Sequence, residues 1–269
     1  MLSLCPLTLL PCSPLDMIDA AAAAGFDAVG IRVIPALPTD TDILANPALR
    51  SAIQQRLSST NMRVLEIDVL RISPDLDVRA LRPALQYAGD LGARQLTVTG
   101  TPRDGWAADH EIATARKLAE LCEAASAYGV QPMIEFMAYR GIRTLHEALQ
   151  MRKLANHPNL GICVDALHFH RTGGTAADLE AVDPAALSCF HLCDAPADPP
   201  EDLATEARYG RLYPGEGGLP LLDMLRALPN SLPVAVEAPD ISQTARPVRD
   251  RSLDVMRCTR DVLTAAGRP

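Results

Sequence analysis

Glu135, Asp165, His191 and Glu237 each stand at or just past the end of a short apolar run, in "QPMIEFM", "LGICVDA", "LSCFHLCD" and "LPVAVEA". A lone glutamate in such a place is ordinarily solvated, and a lone histidine between Phe190 and Leu192 is ordinarily a satisfied core residue. An unpaired carboxylate inside an apolar run is costly, however, and four metal-competent groups on four successive runs form a set. Three carboxylates and one imidazole suit a divalent cation, Mn²⁺ first, with Mg²⁺ and Co²⁺ close behind and Zn²⁺ less favoured by so many oxygens. Such an ion, chelating a carbonyl and its neighbouring hydroxyl, would polarise the C=O and stabilise the enediolate left by proton removal. Glu135 and Glu237, on opposite sides of the site, could then remove and return the proton. A competing Cys-His-Cys zinc site is conceivable from Cys189, His191 and Cys193, which alternate along one strand. They fall in different layers, with no second cysteine pair to complete a tetrahedron, so the cysteines read as small core hydrophobes.

These residues need elements to carry them. β-type stretches recur at 2–6, 28–33, 63–70, 94–100, 131–137, 160–166, 187–194 and 232–238. Amphipathic stretches of helical period lie between them, among them 13–25 with a Ser cap and closing Gly, 107–129, and a final 249–267. This alternation predicts an α/β fold, a (β/α)₈ TIM barrel spanning residues 1–269 as one domain, in which chemistry gathers where strands end. A doubly wound sheet is the alternative, weakened because no glycine-rich phosphate fingerprint follows the first strand. The proline-rich "DAPADPPED" reads as a loop after the seventh strand.

Composition removes several classes. A net charge of −8, without a Lys/Arg run, argues against nucleic acid or an anionic membrane as partner. The apolar "MLSLCPLTLLPC" has no basic flank and two prolines interrupt it, so it is expected to be a first buried strand rather than a targeting or membrane segment. Seven scattered cysteines show no paired framework, which favours a reducing, cytoplasmic setting.

The motifs "DALH" (165–168), "FHLCD" (190–194) and "RLYPGEG" (211–217), with the two strand-end glutamates, resemble the xylose-isomerase-like sugar isomerase/epimerase superfamily. That group includes ketose 3-epimerases, hydroxypyruvate isomerases, inosose dehydratases and dehydroshikimate dehydratases. The resemblance implies that Glu135, Asp165, His191 and Glu237 bind one divalent metal, and that His168 and Arg211 touch the substrate's oxygens. It points to an isomerase or epimerase of a small polyhydroxy carbonyl compound; the alternative is a dehydratase on the same scaffold. One departure stands out. Ketose 3-epimerases carry a further Glu six residues after the first ligand, where this chain has Gly141, and an Asn where it has Ala138. That argues against a free-ketose 3-epimerase.

Further polar residues fall at the other strand ends: Arg32, Glu66 or Asp68, Thr99, Thr101 and Arg140. Arg32 and Glu66 are expected to contact the small-molecule substrate, although a solvated rim is the ordinary reading of each. Convergence of two among Arg32, Arg140 and Arg211 would imply a carboxylate or phosphate on it. His170 and Arg171 are expected on the outer side of a loop, and "YPGEGG" as a turn presenting Arg211. A repair nuclease of the endonuclease IV type shares the barrel, but it needs more than six histidines and a basic face. A non-catalytic binding protein is the remaining class. An apolar face on the outer helices would make a homo-oligomer.

Overall fold

Eight apolar runs become parallel strands: β1 (Leu2–Leu4), β2 (Ala28–Ile31), β3 (Arg63–Ile72), β4 (Gln95–Gly100), β5 (Gln131–Glu135), β6 (Gly161–Asp165), β7 (Leu187–Leu192) and β8 (Val234–Val236). Each pairs with its successor, and β8 returns to β1 through Leu2↔Val234 and Leu4↔Val236, closing the barrel. These observations come from a computed structural model that describes residues 1–36, 40–106 and 110–268. The expected (β/α)₈ TIM barrel is the architecture found.

Helices cover the outside, each cued locally. Ser13 accepts a bond from the Asp16 amide to start Pro14–Ala24, and Gly25, at φ 84°, ends it in a conformation that costs a side chain. The helix expected over 107–129 runs His110–Ser126; its first three predicted positions, 107–109, lie outside the described residues. The final helix is Val248–Ala265. Its Arg251, 1% exposed, donates to the carbonyls of Thr8 (2.8 Å) and Leu9 (2.9 Å), tying the last helix to the segment after β1. No helix among the described residues is long and apolar enough to cross a membrane.

Several boundaries differ from expectation. β1 stops at Leu4 because Pro6, lacking an N–H, opens a short helix, Pro6–Leu9. β3 continues to Ile72, carrying Arg71 onto the strand. The stretch after Asp165 is a helix, Ala166–Arg171, rather than a loop, because the Asp165 side chain caps it by accepting from the His168 amide. The long connection after β7 contains a further helix, Leu203–Tyr209.

Side chains alternate between the two faces of a strand, and here the alternation positions the site. Cys5, Ala28, Leu65, Met133, Cys163, Cys189 and Ala235 form a buried cluster distinct from the main core between sheet and helices. Each of Met133, Cys163, Cys189 and Ala235 is followed two residues later by Glu135, Asp165, His191 or Glu237. The four polar groups therefore form the next inward layer toward the C-terminal rim.

Candidate active site

Burial and convergence mark the site. Glu135 (3% exposed), Asp165 (1%), His191 (1%) and Glu237 (5%) bring one ligand atom each to within 4.8 Å of one another. His191 Nδ1 lies 3.5 Å from Glu135 Oε1 and 3.7 Å from Glu237 Oε2. Both His191 Nδ1 and Glu135 Oε1 are buried without a hydrogen-bond partner, an arrangement that is expensive unless something else binds there. Orphaned donor atoms among three carboxylates and an imidazole fit a divalent cation.

Glu66 sets which histidine nitrogen is available. It is fully buried and accepts from Thr97 Oγ1 (2.8 Å) and Cys5 Sγ (3.1 Å), with His191 Nε2 at 3.0 Å. Burial alone would raise its pKa, but His191 and the three hydrogen bonds bring it below the ordinary carboxylate value. The ionised carboxylate favours a proton on Nε2, so Nδ1 is the nitrogen turned toward Glu135 and Glu237. Against the lowering effect of burial, the surrounding Cys163, Glu66 and Cys5 raise the His191 pKa well above the ordinary imidazole value, so a cation at Nδ1 would displace a proton there. Glu66, expected to contact substrate, is fully buried and is not among the residues that line the cavity, whereas Asp68 is.

Arg211 binds the set together from the side. It is 1% exposed; Nη1 donates to Asp165 Oδ2 (2.6 Å) and to the Glu237 carbonyl (2.9 Å), and Nη2 reaches Glu237 Oε2 (3.1 Å). Two of the four candidate ligands are thus held in place by one guanidinium. Burial would raise the Glu237 pKa, but Arg211 outweighs it and holds the carboxyl down at about 2. Burial wins at Glu135, whose pKa rises to about 8. His168, 2% exposed, lies with Nε2 3.5 Å from Arg211 Nη2 and its ring edge-on to Tyr139. Burial lowers its pKa to about 4, so it is an uncharged hydrogen-bonding group at neutral pH.

Beside these groups opens a cavity. Glu135, Glu237, His168, Arg211 and Arg32 all line it, as does Arg140. Arg32 is committed to Asp68 (2.9 Å) and Asp40 (3.4 Å). Arg71, Arg208 and Tyr139 also line the cavity and were not anticipated. Arg71 lay beyond the expected strand end; Arg208, one turn before Arg211 in "RYGR", was the available signal. Arg171 does not line the cavity; its side chain is nearly inaccessible and pairs with Glu206 at 2.6 Å.

The alternative Cys189-His191-Cys193 grouping does not form. Cys193 accepts from Arg211 Nη1 (3.4 Å), and the cysteines near His191 are Cys163 with Cys189, and Cys5. Those two groupings borrow His191 and contain only three donors each. Gly141 also has a physical explanation: a Cβ there would lie 1.9 Å from the Trp106 ring, so Trp106 fills the space that a glutamate would need.

Residues 18–259 match the family model described as xylose isomerase-like TIM barrel. An inosose isomerase of Halalkalibacterium halodurans is 32% identical over 113 residues, 41% of this chain and 39% of that protein, so the match spans about two-fifths of the relative's length. The crystal structure of IOLI protein with a bound zinc atom superposes with a TM-score of 0.86 at 21% identity, covering 98% of both chains. That of the probable 3-DHS dehydratase AsbF from Bacillus anthracis gives 0.78 at 15% identity, covering 96% of this chain and 98% of that one. The eight-stranded closure, the shared inward layer and a family match across nearly all of the barrel lead to one assignment: the chain belongs to the xylose isomerase-like TIM barrel family.

Proposed function

We propose that the protein is a divalent-metal-dependent isomerase or epimerase that moves a proton α to the carbonyl of a small polyhydroxy substrate. The observation that carries this is the buried convergence of Glu135, Asp165, His191 and Glu237, with Glu135 Oε1 and His191 Nδ1 unpartnered, at one side of the cavity that also holds His168 and Arg211. The four residues would hold one ion, with Mn²⁺ the preferred species and Mg²⁺, Co²⁺ or Zn²⁺ as competitors. When bound, the ion supplies Lewis-acid polarisation of the carbonyl and counter-charge for the enediolate.

The chain's own groups do the rest. Glu135 and Glu237 both reach the cavity, so one can take the α proton and the other deliver it. Return to the opposite face inverts the carbon; return to the neighbouring carbon isomerises. Arg211 keeps Glu237 ionised and holds Asp165 in place, while neutral His168 donates a hydrogen bond to the oxygen on which charge develops. The inosose isomerase relatives support a ring-shaped or open polyol ketone of this class.

The test is a substrate panel incubated with Mn²⁺-loaded protein in D₂O and followed by NMR, containing ketoses, inososes, hydroxypyruvate and dehydroshikimate. Solvent deuterium in a product of unchanged formula is the expected result. Elimination of water would replace isomerase by lyase on the same scaffold. An absence of exchange in every member, with metal demonstrably bound, would overturn the enolisation chemistry.

A further inference from the structure

Five arginines line the cavity: Arg32, Arg71, Arg140, Arg208 and Arg211. Two are neutralised, Arg32 by Asp68 and Asp40, and Arg211 by Asp165 and Glu237. The other three form no ion pair among the described residues. The cavity's acids cannot serve them: Asp68 and Glu237 are already engaged, and Glu135 belongs to the metal grouping.

Arg140 is the informative member. It is only 7% exposed, its Nε is buried without a partner, and its guanidinium lies 5.5 Å from the centre of the Tyr139 ring. Stacking on an aromatic orients the cation, but it does not replace a carboxylate. A buried guanidinium with no counter-ion is an unfavourable arrangement in isolation. Burial lowers its proton affinity, and repulsion from Arg71 and Arg208 adds to the effect. The three arginines come from separate parts of the chain: Arg71 from the end of β3, Arg140 from the segment after β5, and Arg208 from the helix after β7. Their meeting is a property of the barrel rim rather than of one local sequence.

We propose that Arg140, flanked by Arg71 and Arg208, forms an anion subsite that binds a carboxylate or phosphate carried by the polyhydroxy carbonyl substrate. The proposal rests on the reading of this cavity as the substrate site and narrows it to anionic members of that class. A neutral cyclitol would leave the three cations uncompensated. An anion placed among them relieves their repulsion and accepts charge-assisted hydrogen bonds from a planar fork.

The test compares binding of sorbitol, gluconate and sorbitol 6-phosphate to the Mn²⁺-loaded protein by isothermal titration calorimetry. At least one anion is expected to bind about tenfold or more tightly than sorbitol, the scale of a charge-assisted hydrogen bond. Which anion wins identifies carboxylate or phosphate. Arg140→Gln should remove that preference, bringing anion binding to the level of sorbitol, while Arg140→Lys, keeping the charge without the fork, should retain part of it. Arg208→Gln, at a half-buried helical position, repeats the test should Arg140→Gln fail to fold. Equal binding of sorbitol and both anions, no binding of either anion, or a preference that survives Arg140→Gln would overturn the subsite. The last result would assign the anion to the metal. A preference that holds while the D₂O panel shows no exchange would sink the enolisation reading and leave the subsite standing; exchange without the preference removes the subsite alone.

Discussion

The Glu66–His191 pair shows how one buried carboxylate can decide what its neighbour does. Glu66 lies 3.0 Å from Nε2 and so turns Nδ1 to the site, the place of a positioning residue for the proposed metal. Glu66→Gln should weaken Mn²⁺ or Co²⁺ binding about 10- to 100-fold, the usual effect of losing an outer-shell partner. The readout is a metal titration, set against the unfolding midpoint of the metal-free protein; a purely structural role would lower that midpoint and spare the affinity. The convergence of the four candidate ligands was legible because each obeys strand alternation in an apolar run. Glu66 was named, but its place against His191 was not legible, because β2 and β3 slip register between Val29 and Gly30, so that Gly30 faces Glu66 and Leu65 is the extra residue. A bulge turns two adjacent residues out of strict alternation, and nothing in the order of side chains announces it. Gly30 makes the room: a Cβ there would lie 2.7 Å from Pro6 and 3.3 Å from Glu66.

Among elements, the connection after β7 carries most of the cavity's second wall, and two buried acids hold it. Asp194 accepts from the amides of Ala195 (2.9 Å), Gly215 (3.0 Å) and Leu219 (3.0 Å), gathering both ends of the connection beneath Arg211. Arg171, at the end of Ala166–Arg171, pairs with Glu206 of Leu203–Tyr209 and also donates to the carbonyls of Pro196 and Ala197. Both partners of that pair are nearly inaccessible, so Arg171→Ala leaves Glu206 charged and alone, at a cost of about 3–5 kcal/mol. Chemical denaturation measures this, and the same variant should weaken anion binding because Arg208 rides on the loosened helix. Replacing both partners by apolar residues of similar volume should recover most of the stability, since the removed charge no longer needs compensation. The sequence placed Arg171 correctly outside the site but as part of a loop. Its partner, 35 positions away, becomes visible only when the chain is folded.

At the scale of the molecule, the rhythm of apolar runs and amphipathic stretches announced the barrel, because every strand and helix repeats the same burial problem. It did not announce the arginine-rich mouth, whose charges are surplus only after Arg32 and Arg211 have found their acids. The proposed metal would couple to the whole: an ion held by residues from four strands would stabilise the folded state alone. Adding Mn²⁺ at about 100 times its dissociation constant should raise unfolding free energy by about 2.7 kcal/mol, and a chelator should reverse it. A thermal unfolding series across metal concentration checks this; a midpoint indifferent to every divalent ion would remove the metal from the site. The seam of the barrel has a consequence for how the protein is made. β1 meets β8, and Arg251 reaches carbonyls 242 and 243 positions earlier, so the earliest residues wait for the latest before the ring can shut. Glu237 is the last of the four candidate ligands to leave the ribosome, and it arrives only just before the helix that fastens the seam. A nascent chain therefore carries three donors without a closed pocket over the 46 residues from His191 to Glu237. Uptake of the ion becomes a timestamp on ring closure, the slowest, most non-local event available to this topology.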